Sequence, residues 1–237
     1  MDKDLDISVV IPAYNEEKRI EKTIRAICQY LKNKGYHFEI IVVDDGSTDS
    51  TSRLILMLSK QIENIRLISH RKNMGKGAAV RSGVLASRGG MVLFTDADLS
   101  TPIAELEKME NQLHDGYDIV IGSRKQKGAL IPVPQPWHRR VSGVVFHFLV
   151  RIILGLPFSD TQCGFKLFKT DVARSLFLDM NNSGFTFDIE ILHKALTSGY
   201  RIKEIGVVWM DSPNTTVKFF KDPIYMFFDL LKIRRKK

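Results

Sequence analysis

The chain has 237 residues, 44% of them hydrophobic, enough to bury one sizeable core, and no stretch reads as an inter-domain linker. Its formal charge is +8, but residues 218–237 hold seven Lys or Arg and two Asp, so +5 of it lies in the last twenty positions. Two cysteines, Cys28 and Cys163, stand far apart without a Cys-x-x-Cys or His partner pattern, so neither a disulfide framework nor a zinc site is implied and a reducing compartment fits.

Residues 7–11 form an apolar run that reads as a strand and ends at Pro12, followed by Ala13, Tyr14, Asn15 and Glu16. Ile20, Ile24, Ile27 and Leu31 recur at helical spacing within residues 17–34, and Gly35 stops the helix. A second strand over 38–43 runs into Asp44 and Asp45, and the turn Gly46, Ser47, Thr48, Asp49 caps the next helix. A third strand, 65–69, precedes HRKNMGKGAAVR, in which Gly75 and Gly77 flank Lys76 at the start of a small-residue helix. That segment matches neither the P-loop nor the dinucleotide fingerprint. It reads equally as a phosphate seat at a helix N-terminus and as a glycine loop with a solvated lysine.

Residues 91–102, MVLFTDADLSTP, organise the chain. Four apolar residues make a short buried strand that breaks into Thr95, Asp96, Ala97 and Asp98. In extended backbone, positions two apart face one way, so Asp96 and Asp98 are expected to present both carboxylates to one side, a seat for a hard cation. Thr101 reads as an N-cap and Pro102 as the first helical residue, with Glu105 and Glu107 in the early turns. The order βαβαβαβ predicts an α/β fold: a mostly parallel sheet with helices on both faces.

A strand over 118–122 leads into Ser123 and Arg124, and residues 125–135, rich in Lys, Gly and Pro, read as a mobile loop near the site. His138, Arg139 and Arg140 precede the strongly apolar residues 141–158, broken by His147 and Arg151. This segment reads equally as a core helix and as a helix lying in a membrane interface. Asp160, Thr161 and Gln162 introduce a strand at 163–168; residues 187–196 read as a helix with Asp188 and Glu190 at its start, and 201–209 as a last strand.

The expected organisation is one domain over 1–217 and a basic tail over 218–237. The tail has Asp222 as cap, Pro223 at the first helical position, and apolar Ile224, Phe227, Phe228 and Leu231 before Lys232, Arg234, Arg235, Lys236 and Lys237. An apolar helix finished by clustered cations suits an anionic membrane surface, and a helix packed on the domain is the alternative. No aromatic stacking motif accompanies the charge, so nucleic acid is not an expected partner. The acidic, polar N-terminus predicts no cleaved signal peptide, and no run of eighteen apolar residues predicts a membrane span.

Taken together, VVIPAYNE (9–16), VVDDGSTDST (42–51), NMGKG (73–77), DADLSTP (96–102), GSR (122–124) and DTQCGFKLF (160–168) make the chain resemble the family 2 glycosyltransferases of the GT-A fold. Within them it is most similar to the polyprenyl-phosphate glycosyltransferases, with DADLSTP and DTQCGFKLF closer to the dolichyl-phosphate glucosyl group than to the mannosyl one. The resemblance implies a nucleotide-sugar donor (UDP-glucose), a divalent ion (Mg²⁺ or Mn²⁺), a polyprenyl-phosphate acceptor and inversion at the anomeric carbon. It places Pro12, Ala13, Tyr14, Glu16, Asp44, Asp45, Lys76 and Ala97 around the donor, and Asp96 and Asp98 on the metal and diphosphate. Arg124, one of Arg139 and Arg140, and Ser142 fall on the lipid phosphate, and Ser100 stands where mannosyl relatives often carry Gln. The expected location is peripheral, on the cytoplasmic face of a membrane, held by the tail, by residues 141–158 or by a separate membrane protein.

A phosphate monoester acceptor is already anionic at neutral pH, its second pKa lying near about 6. A sugar hydroxyl instead needs a positioned carboxylate, for which Asp160, Asp188 and Glu190 are candidates; Glu190 reads better as a helix N-terminal acid. Transfer of mannose from GDP-mannose, transfer to a saccharide hydroxyl, and a silent nucleotide-binding scaffold are the competing readings.

Overall fold

A computed structural model describes residues 5–133, 137–211 and 222–235, apart from the side chains of 137–142, 145 and 222–225. Ile7–Ala13 (β1), Phe38–Asp44 (β2), Ile65–Ser69 (β3) and Met91–Thr95 (β4) alternate with helices Ile20–Asn33 (α1), Thr51–Gln61 (α2) and Lys76–Ala86 (α3). After Leu106–His114 (α4) come Ile119–Ser123 (β5), Leu130–Val133 (β6), Trp137–Leu154 (α5) and Phe165–Lys169 (β7). Thr170–Leu178 (α6), Phe187–Thr197 (α7), Ile202–Gly206 (β8), Val208–Met210 (β9) and Asp222–Arg235 (α8) complete the order.

The main sheet runs β3-β2-β1-β4-β7-β5-β8. Strand β7 is antiparallel to both its neighbours, and the other pairings are parallel. The α/β expectation therefore holds, with one reversed strand inserted. Side chains alternate across the sheet as a doubly covered strand requires. Ile7, Val9 and Ile11 of β1 and Leu93 of β4 pack with Ile20, Ile24, Ile27 and Leu31 of α1 and with Leu106 and Met109 of α4. Val10, Val92 and Phe94 point to the other face, against Val80 and Val84 of α3 and Phe187 and Ile191 of α7. Strand order reverses between β1 and β4, so the crevice beyond their carboxyl ends is where such a sheet takes its ligands.

Several local expectations are corrected. Thr101 does not cap a helix: its hydroxyl lies 3.9 Å from the Cys163 thiol, and Pro102 precedes a 3₁₀ turn, Ile103–Glu105, that feeds α4. The 163–168 strand starts two residues late, at Phe165, because Gly164 is spent on a close contact with Asp96. The 201–209 strand divides at Val207, whose N–H bonds Ser123 O while its own carbonyl takes Leu130 N–H. The chain thereby leaves the main sheet and pairs, as β9, with β6. Part of the expected mobile loop, 125–135, is thus a strand, and residues 134–136 lie outside the described set. Helix α6 was not expected from the sequence.

Candidate active site

Asp96 follows β4 directly, two residues beyond Phe94 and on the same face. Its N–H bonds Gly164 O at 3.1 Å, and its carboxylate lies over Gly164, where an added Cβ would come within 1.9 Å of Oδ2. Only a residue without a side chain lets β7 pass this close. The strand ends at Thr95, and Leu99 N–H bonds back to Asp96 O with Leu99 in the left-handed region (φ 49°). Residues 96–99 therefore form a turn, and the two-apart argument for a shared face does not apply. The carboxylates converge by the turn instead, and both lie within electrostatic reach of Arg19 and Lys76.

Four charges define this centre. Lys76 Nζ lies 2.7 Å from Asp96 Oδ1. Burial opposes the ammonium, but Asp96 and Asp188 outweigh it and hold Lys76 above its ordinary pKa, so it stays protonated. Asp98 Oδ1 accepts Ser100 N–H at 3.0 Å, and its Oδ2 is 3.9 Å from Arg19 Nη1. Arg19 is also bound by Glu16, with Nη2 donating to Oε1 at 2.7 Å. Sequence reading missed Arg19, whose signal was its spacing of three from Glu16 at the entry to α1.

Beneath them lies a buried pair, Lys166 Nζ to Asp188 Oδ1 at 2.7 Å, both residues almost fully enclosed. Lys166 also donates to Cys163 O at 2.6 Å. Burial pushes the Asp188 carboxyl up, against the pull of Lys166 and Lys76. Phe94 separates the layers, with Lys76 and Lys166 at 5.3 and 5.9 Å from its ring centre. Lys166 was quoted in a motif but given no role; only the antiparallel placing of β7 reveals it. Glu190 accepts Asn181 and Asn182 N–H at 3.0 and 2.8 Å, the structural use expected of it.

The glycine loop is held by Asp45. Its Oδ1 lies 2.6 Å from His70 Nδ1 and accepts Met74 N–H at 2.9 Å, and its Oδ2 accepts Gly75 N–H at 2.8 Å. His70 Nε2 reaches Ser82 Oγ at 2.9 Å. Asp45 is therefore committed within the chain and shapes the pocket. The first N–H groups of α3, on Gly77 and Ala78, both point to Ser183 O. A phosphate seat made of those N–H groups is ruled out, and Lys76 acts through its ammonium. Asp44 is buried and accepts Ser47 N–H at 3.1 Å, next to Ala13 and Tyr14 at the end of β1. Pro12, Ala13 and Asp44 thus lie at the carboxyl ends of β1 and β2, with Tyr14 and Glu16 just beyond, and Asp96, Ala97 and Asp98 follow the neighbouring β4. Thr23 Oγ1 donates to Ala97 O at 2.6 Å and fixes the turn to α1.

At the far rim Arg124 grips Asp160: Nε to Oδ2 at 2.7 Å and Nη2 to Oδ1 at 2.8 Å, with its own N–H on Oδ2 at 3.0 Å. The guanidinium lies 5.3 Å from the Trp209 ring centre. Burial alone would lift the Asp160 carboxyl, but Arg124 outweighs it and pulls it down to about 2. Glu204, also missed by sequence reading, accepts Asp160 N–H at 2.8 Å and Ser159 N–H at 2.9 Å and fixes this corner. Arg139, Arg140 and Ser142 belong to α5, but their side chains lie outside the described residues.

Among the described residues, no three His, Cys, Asp or Glu gather into a metal cluster. The donor set of Asp96 and Asp98 still fits Mg²⁺ or Mn²⁺, because such ions take one or two carboxylates and complete their shell with water and substrate phosphate.

An open α/β sheet with Asp-x-Asp after the switch-point strand, backed by Lys76, is the arrangement of a GT-A glycosyltransferase. Glycosyl transferase family 2 matches residues 8–177, and the chain belongs to that family. It is 36% identical over 237 residues to a dolichyl-phosphate beta-glucosyltransferase of Trichomonas vaginalis, covering 96% of this chain and 72% of that one. It is 35% identical over 241 residues to the dolichyl-phosphate beta-glucosyltransferase of Homo sapiens, covering 96% and 74%. Among solved structures, glucosyl-3-phosphoglycerate synthase of Mycobacterium tuberculosis with phosphoglyceric acid superposes at TM-score 0.70 and 22% identity, covering 97% and 80%. The same enzyme with Mn²⁺, UDP-glucose and phosphoglyceric acid gives TM-score 0.67 at 20% identity, covering 97% and 78%. These last two matches concern the fold.

Proposed function

We propose that the chain transfers glucose from UDP-glucose to a dolichyl-type polyprenyl phosphate, with inversion at the anomeric carbon, on the cytoplasmic face of a membrane. The relatives' names support the sugar and acceptor. The observation that carries the acceptor class is the state of the two candidate bases. Asp160 is locked on Arg124 as a strong acid's anion, and Asp188 is buried against Lys166. Neither suits removal of a proton from a sugar hydroxyl, whereas a phosphate monoester arrives with its anionic oxygen ready.

Asp96 and Asp98 would hold a Mg²⁺ or Mn²⁺, which supplies compensation for charge developing on the departing nucleoside diphosphate. Lys76, paired with Asp96, adds a fixed cation on the same side. A group that meets developing charge stabilises the transition state more than the bound donor. Arg19 ties Glu16 to Asp98 and so couples the nucleoside side of the crevice to the diphosphate side. Arg124 gives Nε and Nη2 to Asp160, so Nη1 is the nitrogen left to meet an acceptor phosphate, together with Ser142 and one of Arg139 and Arg140.

The test is transfer of labelled glucose from UDP-glucose to a short polyprenyl phosphate, with Mg²⁺, Mn²⁺ or EDTA, comparing wild type with Asp98→Ala. Glycolipid that needs metal and disappears in the variant is expected. Preference for GDP-mannose would reassign the donor, and turnover only with a soluble sugar would reassign the acceptor. Nucleotide binding without turnover on any acceptor would make the chain a scaffold.

A further inference from the structure

Asp188 takes no proton in the proposed reaction, yet it stands beside the charged centre and is only 4% exposed. Its Oδ1 lies 2.7 Å from Lys166 Nζ, although that oxygen has no aligned hydrogen-bond donor among the described residues. The hydrogen bond of Lys166 goes to Cys163 O, at 2.6 Å. A carboxylate is therefore kept where burial is costly, with a countercharge close by and one oxygen not tied to any donor.

That charge acts on Lys76. After Asp96, Asp188 is the strongest attraction on the Lys76 ammonium, ahead of Asp98. The backbone joins the two residues as well. The first turn of α3 lies flush on residues 182–187: Gly77 N–H bonds Ser183 O at 2.8 Å, and a Cβ on Gly77 would come within 2.5 Å of Asn182 O and 2.8 Å of Phe187 Cβ. Asp188 is the next residue, in the first turn of α7. The Phe94 ring, 5.3 Å from Lys76 Nζ and 5.9 Å from Lys166 Nζ, fills the space between the two ammonium groups. Lys76 and Asp188 are thus set against each other by two touching segments and a buried ring.

Asp96 has two claimants. It holds Lys76 Nζ at 2.7 Å, and in the proposed reaction it also holds the divalent cation. A doubly charged ion on that carboxylate repels the ammonium beside it. The Lys76 side chain is 25% exposed, so water is open to it as a refuge. We propose that Asp188, set by Lys166, is a positioning residue for Lys76: it keeps the ammonium in the centre when a divalent cation takes Asp96, so that the donor diphosphate meets both cations together. This role rests on the proposed metal and donor. It accounts for the odd construction of the lower layer, in which Lys166 makes a buried Asp188 tolerable and leaves its charge within reach of Lys76.

The experiment measures UDP binding by calorimetry, with and without Mn²⁺, in wild type, in Lys76→Met and in the pair variant Lys166→Met with Asp188→Asn. The pair variant conserves net charge and orphans no buried ion, so it is expected to keep a Tm near that of wild type. Without metal, Lys76 still has Asp96, and the pair variant is expected to bind UDP as wild type does. With Mn²⁺ its affinity is expected to fall about tenfold below wild type, a loss that a merely structural role would not confine to the metal-bound protein. Lys76→Met is expected to weaken UDP in both conditions, and adding the pair substitutions to it is expected to cost nothing further. Equal Mn²⁺-dependent gains in wild type and the pair variant overturn the anchor, and so do losses that add in the triple variant. Should the pair variant not fold, Asp188→Asn alone decides. It is expected to weaken UDP with Mn²⁺, whereas the more positive centre by itself would tighten it, and tighter binding overturns the anchor. Binding of GDP in place of UDP reassigns the donor, and the same comparisons with GDP then decide. Mn²⁺ that tightens neither nucleotide in wild type overturns the anchor together with the metal site. An Mn²⁺ gain that depends on Asp188 and Lys166, in a protein that transfers glucose to no acceptor, upholds the anchor and removes the reaction.

Discussion

Replacing Asp160 by Asn keeps the size of the side chain and removes its charge from a bidentate contact with Arg124. Asp160 is only 3% exposed, so solvent offers the pair little screening on that side. Its carboxyl falls from an ordinary 3.8 to about 2, which corresponds to roughly 2 kcal/mol of folding stability. Because the folded value is the lower one, that contribution is complete above pH 4 and drains away as pH falls towards 2. The variant also leaves the Arg124 guanidinium without its countercharge, and breaking a buried pair from one side costs about 3–5 kcal/mol. Arg124 keeps 24% side-chain exposure and can recover some hydration, so the low end, about 3 kcal/mol, is expected. For a chain of this size that is a fall in Tm of about 6–12 °C. Thermal and urea unfolding at pH 7 and pH 4 measure it, with Arg124→Met and the double variant completing the cycle. Removing both partners leaves no orphaned charge, so the double variant is expected to be more stable than Asp160→Asn alone. A Tm within about 2 °C of wild type for Asp160→Asn, or strictly additive losses, would refute this account of the corner.

Gly164→Ala is expected to fold but to displace Asp96, since the new Cβ would fall within 1.9 Å of Oδ2. Transfer should drop about a hundredfold, as for a misplaced catalytic group, and wild-type turnover would show that Asp96 has room to move. His70→Ala removes one of the three contacts on Asp45 that steady the glycine loop and is expected to raise the donor KM several-fold, with about 1 kcal/mol lost in stability. His70→Asn, which restores a hydrogen bond from the side chain, should recover much of it; equal effects of Ala and Asn would point to packing alone. Cys163 is buried, and burial pushes its thiol up to about 12, so thiol reagents at pH 8 should label it only after unfolding. Rapid labelling of the native protein would contradict the placing of β7.

The strands that carry the site were legible because each apolar run stops abruptly: Ile11 before Pro12, Val43 before Asp44, Phe94 before Thr95. Their period-two alternation across a covered sheet supplied the fold class. The centre was less legible. Arg19, at the N-cap of α1, meets Asp98 only through tertiary packing, as do Lys166 of β7 and Glu204 of β8 with Asp188 and Asp160. Strand β7 begins late because Gly164 serves a contact rather than a ladder, and β8 and β9 separate because Val207 bonds in two directions. The extended-chain argument for Asp96 and Asp98 used the wrong geometry, since a left-handed Leu99 closes a turn there. Asp45, assigned to the donor pocket by its motif, is spent on backbone N–H groups that sequence spacing does not reveal.

The insertion of β7 between β4 and β5 also sets an order of assembly. A ribosome delivers β1 to β4 well before residues 165–169, so until β7 emerges β4 has no partner for one of its edges. An open edge is a template for pairing with other chains. The waiting edge leads straight into Asp96, whose backbone N–H finds its partner, Gly164 O, only when β7 threads in. Chains interrupted before residue 165 therefore expose an adhesive strand at the future reaction centre, and completion of the sheet and arming of Asp96 are one late event of translation.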